Sequence, residues 1–219
     1  MLFRSSLPIL TLIAALMLPA LASAQSAKMT SAIESFLKRA ERAETADQWR
    51  SIANSFERIA NTEGGEWLAQ YYAGWSNSML AWTVEVDEVD AVLDKAEGYA
   101  AKAAELSPDN AEVLTLQSML AVGRMRVDWS RGMTYGPKST ALLEEALAID
   151  PDNPRALMNA AQGLINTPEA FGGNKVKGCE MLRESKKSFE AFEPESTIHP
   201  SWGYEYLVES MLPTCEGIE

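Results

Sequence analysis

Apolar residues recur three and four positions apart along most of the chain, the spacing of a helix that buries one face. Segments 91–106 and 140–149 carry this period most clearly, with Ala, Leu, Glu and Lys filling the remaining positions. No run of β-branched residues alternates with polar ones, so the pattern predicts an all-α chain. Ser31 and Glu34 have the spacing of a capping box. Asn153 before Pro154 sets a good N-cap beside a residue suited to the first helical position. Segment 84–90, with four acids among valines, reads as an extended acidic link into a helix N-terminus, where carboxylates favour the helix dipole.

A longer-range pattern lies over the helical one. Residues 103–114 align with residues 146–157: in each, an amphipathic helix ends, Pro108 or Pro151 stops it, Asp109-Asn110 or Asp152-Asn153 turns the chain, and a new helix starts. Such self-similarity is the mark of stacked helix hairpins, since one pair cannot bury its apolar face alone. Here the chain resembles the tetratricopeptide repeat family. Ala96, Ala100 and Ala103 before Pro108, Leu143 and Ala146 before Pro151, and Leu157, Ala160, Ala161 and Leu164 on the next helix carry the likeness. Trp49, Ile52, Ala53 and Phe56 supply a further first-helix match. Segments 166–174 and 200–203 are also similar to secreted bacterial tetratricopeptide-like proteins. The resemblance implies an antiparallel helix-hairpin array wound as a right-handed α-solenoid. Its repeats are irregular, because Pro108 and Pro151 lie further apart than the family's roughly 34-residue period. The excess places a longer connection in segment 123–138.

The N-terminus changes the picture of where this array works. Arg4 precedes an apolar run over 7–21, and Ala22-Ser23-Ala24 follows with small residues where a signal peptidase reads them. Residues 1–24 are therefore expected to be a cleaved signal peptide, and 25–219 the helical domain. The apolar run is short against the roughly 20 residues of a membrane-spanning helix, and Pro19 interrupts it. Gln25 rather than Cys follows the cut, so no lipid anchor is expected and the mature chain should be periplasmic or secreted, with no membrane insertion. A net charge of −12 argues against nucleic acid as a partner. Cys179 and Cys215, the two cysteines of an exported chain, are expected to form a disulfide.

Candidate chemistry is sparse. His199 is the one histidine and stands before Pro200 at a helix entry, without a partner base or nucleophile in sequence. Two cysteines and one histidine do not make a zinc set, so neither a metal nor a cofactor is expected. The loop 172–178, Gly-Gly-Asn-Lys-Val-Lys-Gly, lacks phosphate-loop spacing and reads as a tight interhelical turn. Aromatics are more informative: Trp67, Tyr71, Trp75 and Trp82 fall near one helical stripe with Tyr72 and Met79 beside them, mainly as core. The family's register places Tyr71 and Trp75, Thr115 and Met119, and Met158 and Gln162 toward a concave groove. The expected function is a non-enzymatic exported scaffold holding a peptide or protein segment in that groove. The alternative is a small-ligand-binding accessory protein of a solute-uptake system, which an enclosed cavity would favour.

Overall fold

A computed structural model describes residues 27–218, so the expected signal peptide lies outside the described residues. Eight helices follow in order: α1 Ala27–Ala40, α2 Ala46–Thr62, α3 Trp67–Ala81, α4 Val89–Leu106, α5 Ala111–Arg124, α6 Gly132–Ile149, α7 Pro154–Asn166 and α8 Lys175–Ala191. The chain closes in irregular turns, helical over Tyr204–Tyr206, π-helical over Leu207–Met211 and 3-10 over Leu212–Cys215. Among the described residues there is no strand. Helices α3 and α4, α5 and α6, and α7 and α8 pair as antiparallel hairpins, and α2 packs on α3. The array of helix hairpins expected from the repeat is the observed architecture.

Each turn at one end of the array is set by local chemistry. Asn110 caps α5 by accepting from the N–H groups of Glu112 and Val113, and Asn153 caps α7 by accepting from Ala156 N–H at 3.0 Å. Asp109 takes the left-handed conformation, φ 54°, that a short polar side chain tolerates. At the opposite end, Thr45 and Gln48 form a reciprocal capping box on α2.

Helix α3 is the centre of the molecule. It is apolar on nearly all sides and almost wholly buried, as a helix surrounded by others must be. Gly74 lets its neighbours close in: a Cβ there would stand 3.1 Å from the Leu116 side chain and 3.3 Å from the Ala96 carbonyl oxygen. Ala96, Ala100 and Ala103 are fully buried on α4, so small residues mark a close helix–helix approach.

Three local expectations are corrected. Ser31 is inside α1 rather than at its cap, because buried Met29 and Ile33, four apart, carry the apolar face back to Ala27. Segment 84–88 is a pair of turns rather than an extended link; Arg126 donates to the carbonyls of Ala81 at 2.6 Å and Val84 at 2.8 Å and holds the bend. The connection after α5 is shorter than expected, since a 3-10 turn at Trp129–Arg131 leads straight into α6, which accommodates Pro137 in its second turn.

The Cys179–Cys215 disulfide fastens the last turns to α8. It closes a loop with a sequence separation of 36 and restricts the unfolded chain accordingly. Replacing both cysteines with serine is expected to lower stability by about 3–4 kcal/mol in urea unfolding. An unchanged midpoint would show that the bridge does not constrain the unfolded chain.

Candidate functional site

The six residues expected to line a groove lie on α3, α5 and α7, the first helices of the three hairpins. Tyr71, Trp75, Thr115 and Met158 are buried, while Met119 and Gln162 are partly exposed. What covers them is the chain itself. After α8, segment 192–203 runs back over these helices. Trp202 Nε1 donates to Tyr71 Oη at 2.9 Å, and its ring stacks on Trp75 with centroids 6.3 Å apart. Tyr72 Oη donates to the carbonyl of Ile198 at 2.9 Å, and Ile198 is fully buried in the main core. At Gly203 the backbone turns with φ 110°, beside Met158 and Phe189, where a Cβ would stand 3.0 Å from the Met158 methyl. Gln162 meets Tyr206 just beyond, at 3.4 Å. Thr115 spends its hydroxyl on the Ala111 carbonyl within its own helix.

Beneath this segment lies a buried ion pair. Arg155 donates through Nε to Glu112 Oε2 at 2.7 Å and through Nη2 to Oε1 at 2.6 Å, and Asn153 Nδ2 donates to Oε1 at 2.6 Å. Both ionic side chains are almost completely removed from water. The guanidinium lies 4.4 Å from the Phe192 ring centroid and 5.8 Å from that of Phe189. Its Nη1 has no hydrogen-bond partner among the described residues. Burial first, and then the Glu112 charge, push the Tyr71 and Tyr72 phenols well above their ordinary range, so both remain hydrogen-bond donors. Burial lowers the pKa of His199, whose ring packs against those of Trp67 and Phe192. Among the described residues no group of His, Cys, Asp and Glu is placed to hold a metal ion.

The surface that remains open is at the other end of the array from the Pro-Asp-Asn turns. There the loops after α3, α5 and α7 and the first turn of α6 expose large apolar side chains: Trp82 at 47%, Trp129 at 86%, Met133 at 74% and Phe171 at 69%. Val86 and Val176 are exposed beside them in sequence. Where such residues adjoin, they form a candidate binding surface.

The loops that carry them are held firmly. Arg131 grips Asp90 with both nitrogens, at 2.7 and 2.9 Å. Arg124 reaches Asp90 at 2.9 Å and Glu97 at 2.8 Å, with Asp94 as a further partner. These contacts, with Arg126 on the Ala81 and Val84 carbonyls, bind the α5–α6 loop to the α3–α4 loop, so Trp82 and Trp129 stand on adjoining supports. Chiefly the Arg131 hydrogen bonds hold the Asp90 carboxyl down at about 2. Sequence reading assigned Trp82 to the buried stripe and passed over Trp129, because a local sequence does not reveal which side a loop presents.

With this geometry in view, the chain is similar to the HusA haemophore from Porphyromonas gingivalis. Identity is 30%, the TM-score is 0.79, and the match covers 88% of this chain and 94% of that one. The chain belongs to the HusA family. No family model and no curated protein matches it. Among the described residues, no helix of this HusA relative is long and apolar enough to cross a membrane.

Two outcomes test the supports of this site. Glu112→Gln leaves the Arg155 charge buried and is expected to destabilise the fold by about 3–5 kcal/mol in chemical denaturation. A loss below about 1 kcal/mol would mean that water reaches the guanidinium. Asp90 is ionised in the folded protein down to about pH 2, against 3.8 for its ordinary value, so its contribution is present above about pH 4 and fades toward pH 2. The stability difference between the native chain and Asp90→Asn should therefore shrink as pH falls through that window, as read by thermal melts. A difference constant from pH 5 to 2 would overturn the clamp's role.

Proposed function

We propose that the protein is an exported, non-catalytic carrier of haem or a closely similar flat tetrapyrrole, held on the apolar loop edge formed by Trp82, Val86, Trp129 and Met133. The observation that carries this reading is the relationship to a haemophore along nearly the whole of both chains. Of the two functions left open by the sequence, it favours the small-ligand carrier. The scaffold reading required a groove free to accept a peptide, and segment 192–203 fills the faces of Tyr71 and Trp75. The signal-peptide pattern and the Cys179–Cys215 bridge support an address outside the cytoplasm.

The edge fits such a ligand in kind. A porphyrin presents two broad apolar faces, which indole rings and a thioether contact well. Iron enters only as part of the cargo; the affinity is expected to come from the macrocycle faces rather than from a protein metal site. Tyr71, Trp75, Thr115 and Met158 then serve from below, as the buried layer that fixes the helices carrying the loops. The π-helical turn belongs to this supporting frame.

Haemin titrated into the purified mature chain is expected to shift the Soret band and quench tryptophan fluorescence with saturation. Iron-free protoporphyrin should quench in the same way. Trp129→Ala is expected to weaken both about tenfold, the scale of one lost aromatic contact. Haemin and protoporphyrin binding unchanged in Trp129→Ala would move the site elsewhere. No saturable binding of either would end the carrier reading.

A further inference from the structure

Beside the α1–α2 turn, at the same end of the array as the exposed tryptophans, an open cleft of about 270 Å³ is lined by Lys38, Arg39, Arg42, Ala43, Gln48 and Ile52. Three cations and no carboxylate face it, in a chain whose net charge is −12. Arg39 is positioned: its guanidinium stands 5.3 Å from the Phe36 ring centroid and donates to Ser51 Oγ at 3.1 Å. Lys38 and Arg42 form no ion pair and no side-chain hydrogen bond among the described residues, although Glu34, Glu41, Glu44 and Asp47 are their neighbours in sequence. Like charges brought together without counter-charge repel one another, and such a cluster is relieved by an anion. Gln48 is occupied with the capping box, taking the N–H groups of Glu44 and Thr45, so the polar rim is ordered before any ligand arrives.

The cleft is tied to the apolar edge. Arg50, two residues before Ile52 on α2, reaches Glu88 in the α3–α4 loop at 2.9 Å, and Trp49 packs edge-on against Trp75. The first turns of α2 therefore sit against the loop that carries Trp82 and Val86. We infer that Lys38, Arg39 and Arg42 form a carboxylate subsite that takes the acidic side arms of a ligand whose apolar face lies on the tryptophan edge. The inference rests on the carrier reading above and deepens it. Apolar loops supply affinity for the ring; the cations select ligands that bear carboxylates and fix which way round they bind. Arginine can take a carboxylate through two nitrogens, whereas Lys38 contributes a mobile point charge.

The test uses the whole mature chain and two probes, haemin and its dimethyl ester, in which both carboxylates are blocked. At low salt the native chain is expected to bind haemin about tenfold more tightly than the ester, from two exposed charge pairs. The preference should shrink as salt rises through physiological strength. In Lys38→Glu/Arg42→Glu it should fall to unity or reverse, with the thermal midpoint confirming that the fold survives. A native chain that binds both probes equally overturns the subsite while leaving the carrier reading standing. A preference that persists undiminished in the double variant overturns it as well, by placing the carboxylates elsewhere. If neither probe binds, the carrier reading fails and the subsite fails with it.

Discussion

The molecule depends on one buried charge pair. Glu112 and Arg155 occupy equivalent places in successive repeats, each two residues after the capping Asn of its helix. Stacking the hairpins brings the two positions together in the interior, where a charge without its partner would cost several kcal/mol. Opposite signs at equivalent repeat positions therefore set the register of α5 against α7. The pair also draws in segment 192–203, because Phe192 and Phe189 lie against the guanidinium and shield it from water. Tyr71, Tyr72 and Trp202 follow from that placement, each completing its hydrogen bond within the covered layer.

That covering decides what the array can bind. A helix-hairpin groove left open would accept a strand or helix of a partner, and its aromatic lining would be the anchor. Here the lining is already spent on the chain's own backbone and on Trp202, with the disulfide holding the following turns to α8. Dislodging the segment would expose Ile198 and leave the Arg155 charge less well packed. In the proposed carrier, binding therefore moves from the concave face to the loops at one end, where the Arg124, Arg126 and Arg131 contacts tie the α5–α6 connection to the α3–α4 connection.

Much of the frame was legible because its signals are local. The Asn110 and Asn153 caps, the prolines before them and the small residues of α4 each act within a few positions, and the repeat makes them visible twice. The cysteine pair was legible from compartment and count. What sequence did not show are the long-range choices. Neither Glu112, one more acid among many, nor Arg155 announces a partner in sequence; their meeting, and the return of segment 192–203 over them, depends on the stacking. Trp82 lies on the expected stripe, but α3 ends at Ala81, one residue before it.

The division between the two ends of the array follows from the same physics. At one end, the Pro-Asp-Asn turns are fixed by backbone demands, a capping Asn in each and a left-handed Asp109 before the first of the two. At the other, the connections are fastened by arginine side chains reaching backbone carbonyls and carboxylates, which leaves the remaining loop side chains free of structural duty. Large apolar residues stand exposed there, and in the proposed carrier the cationic cleft on α1–α2 is the polar half that accompanies them. The proposed amphiphilic, planar, anionic ligand presents a half to each. The family relationship and this chain's own surface thus favour the same proposed ligand, whose orientation would follow from where the array keeps its Pro-Asp-Asn turns.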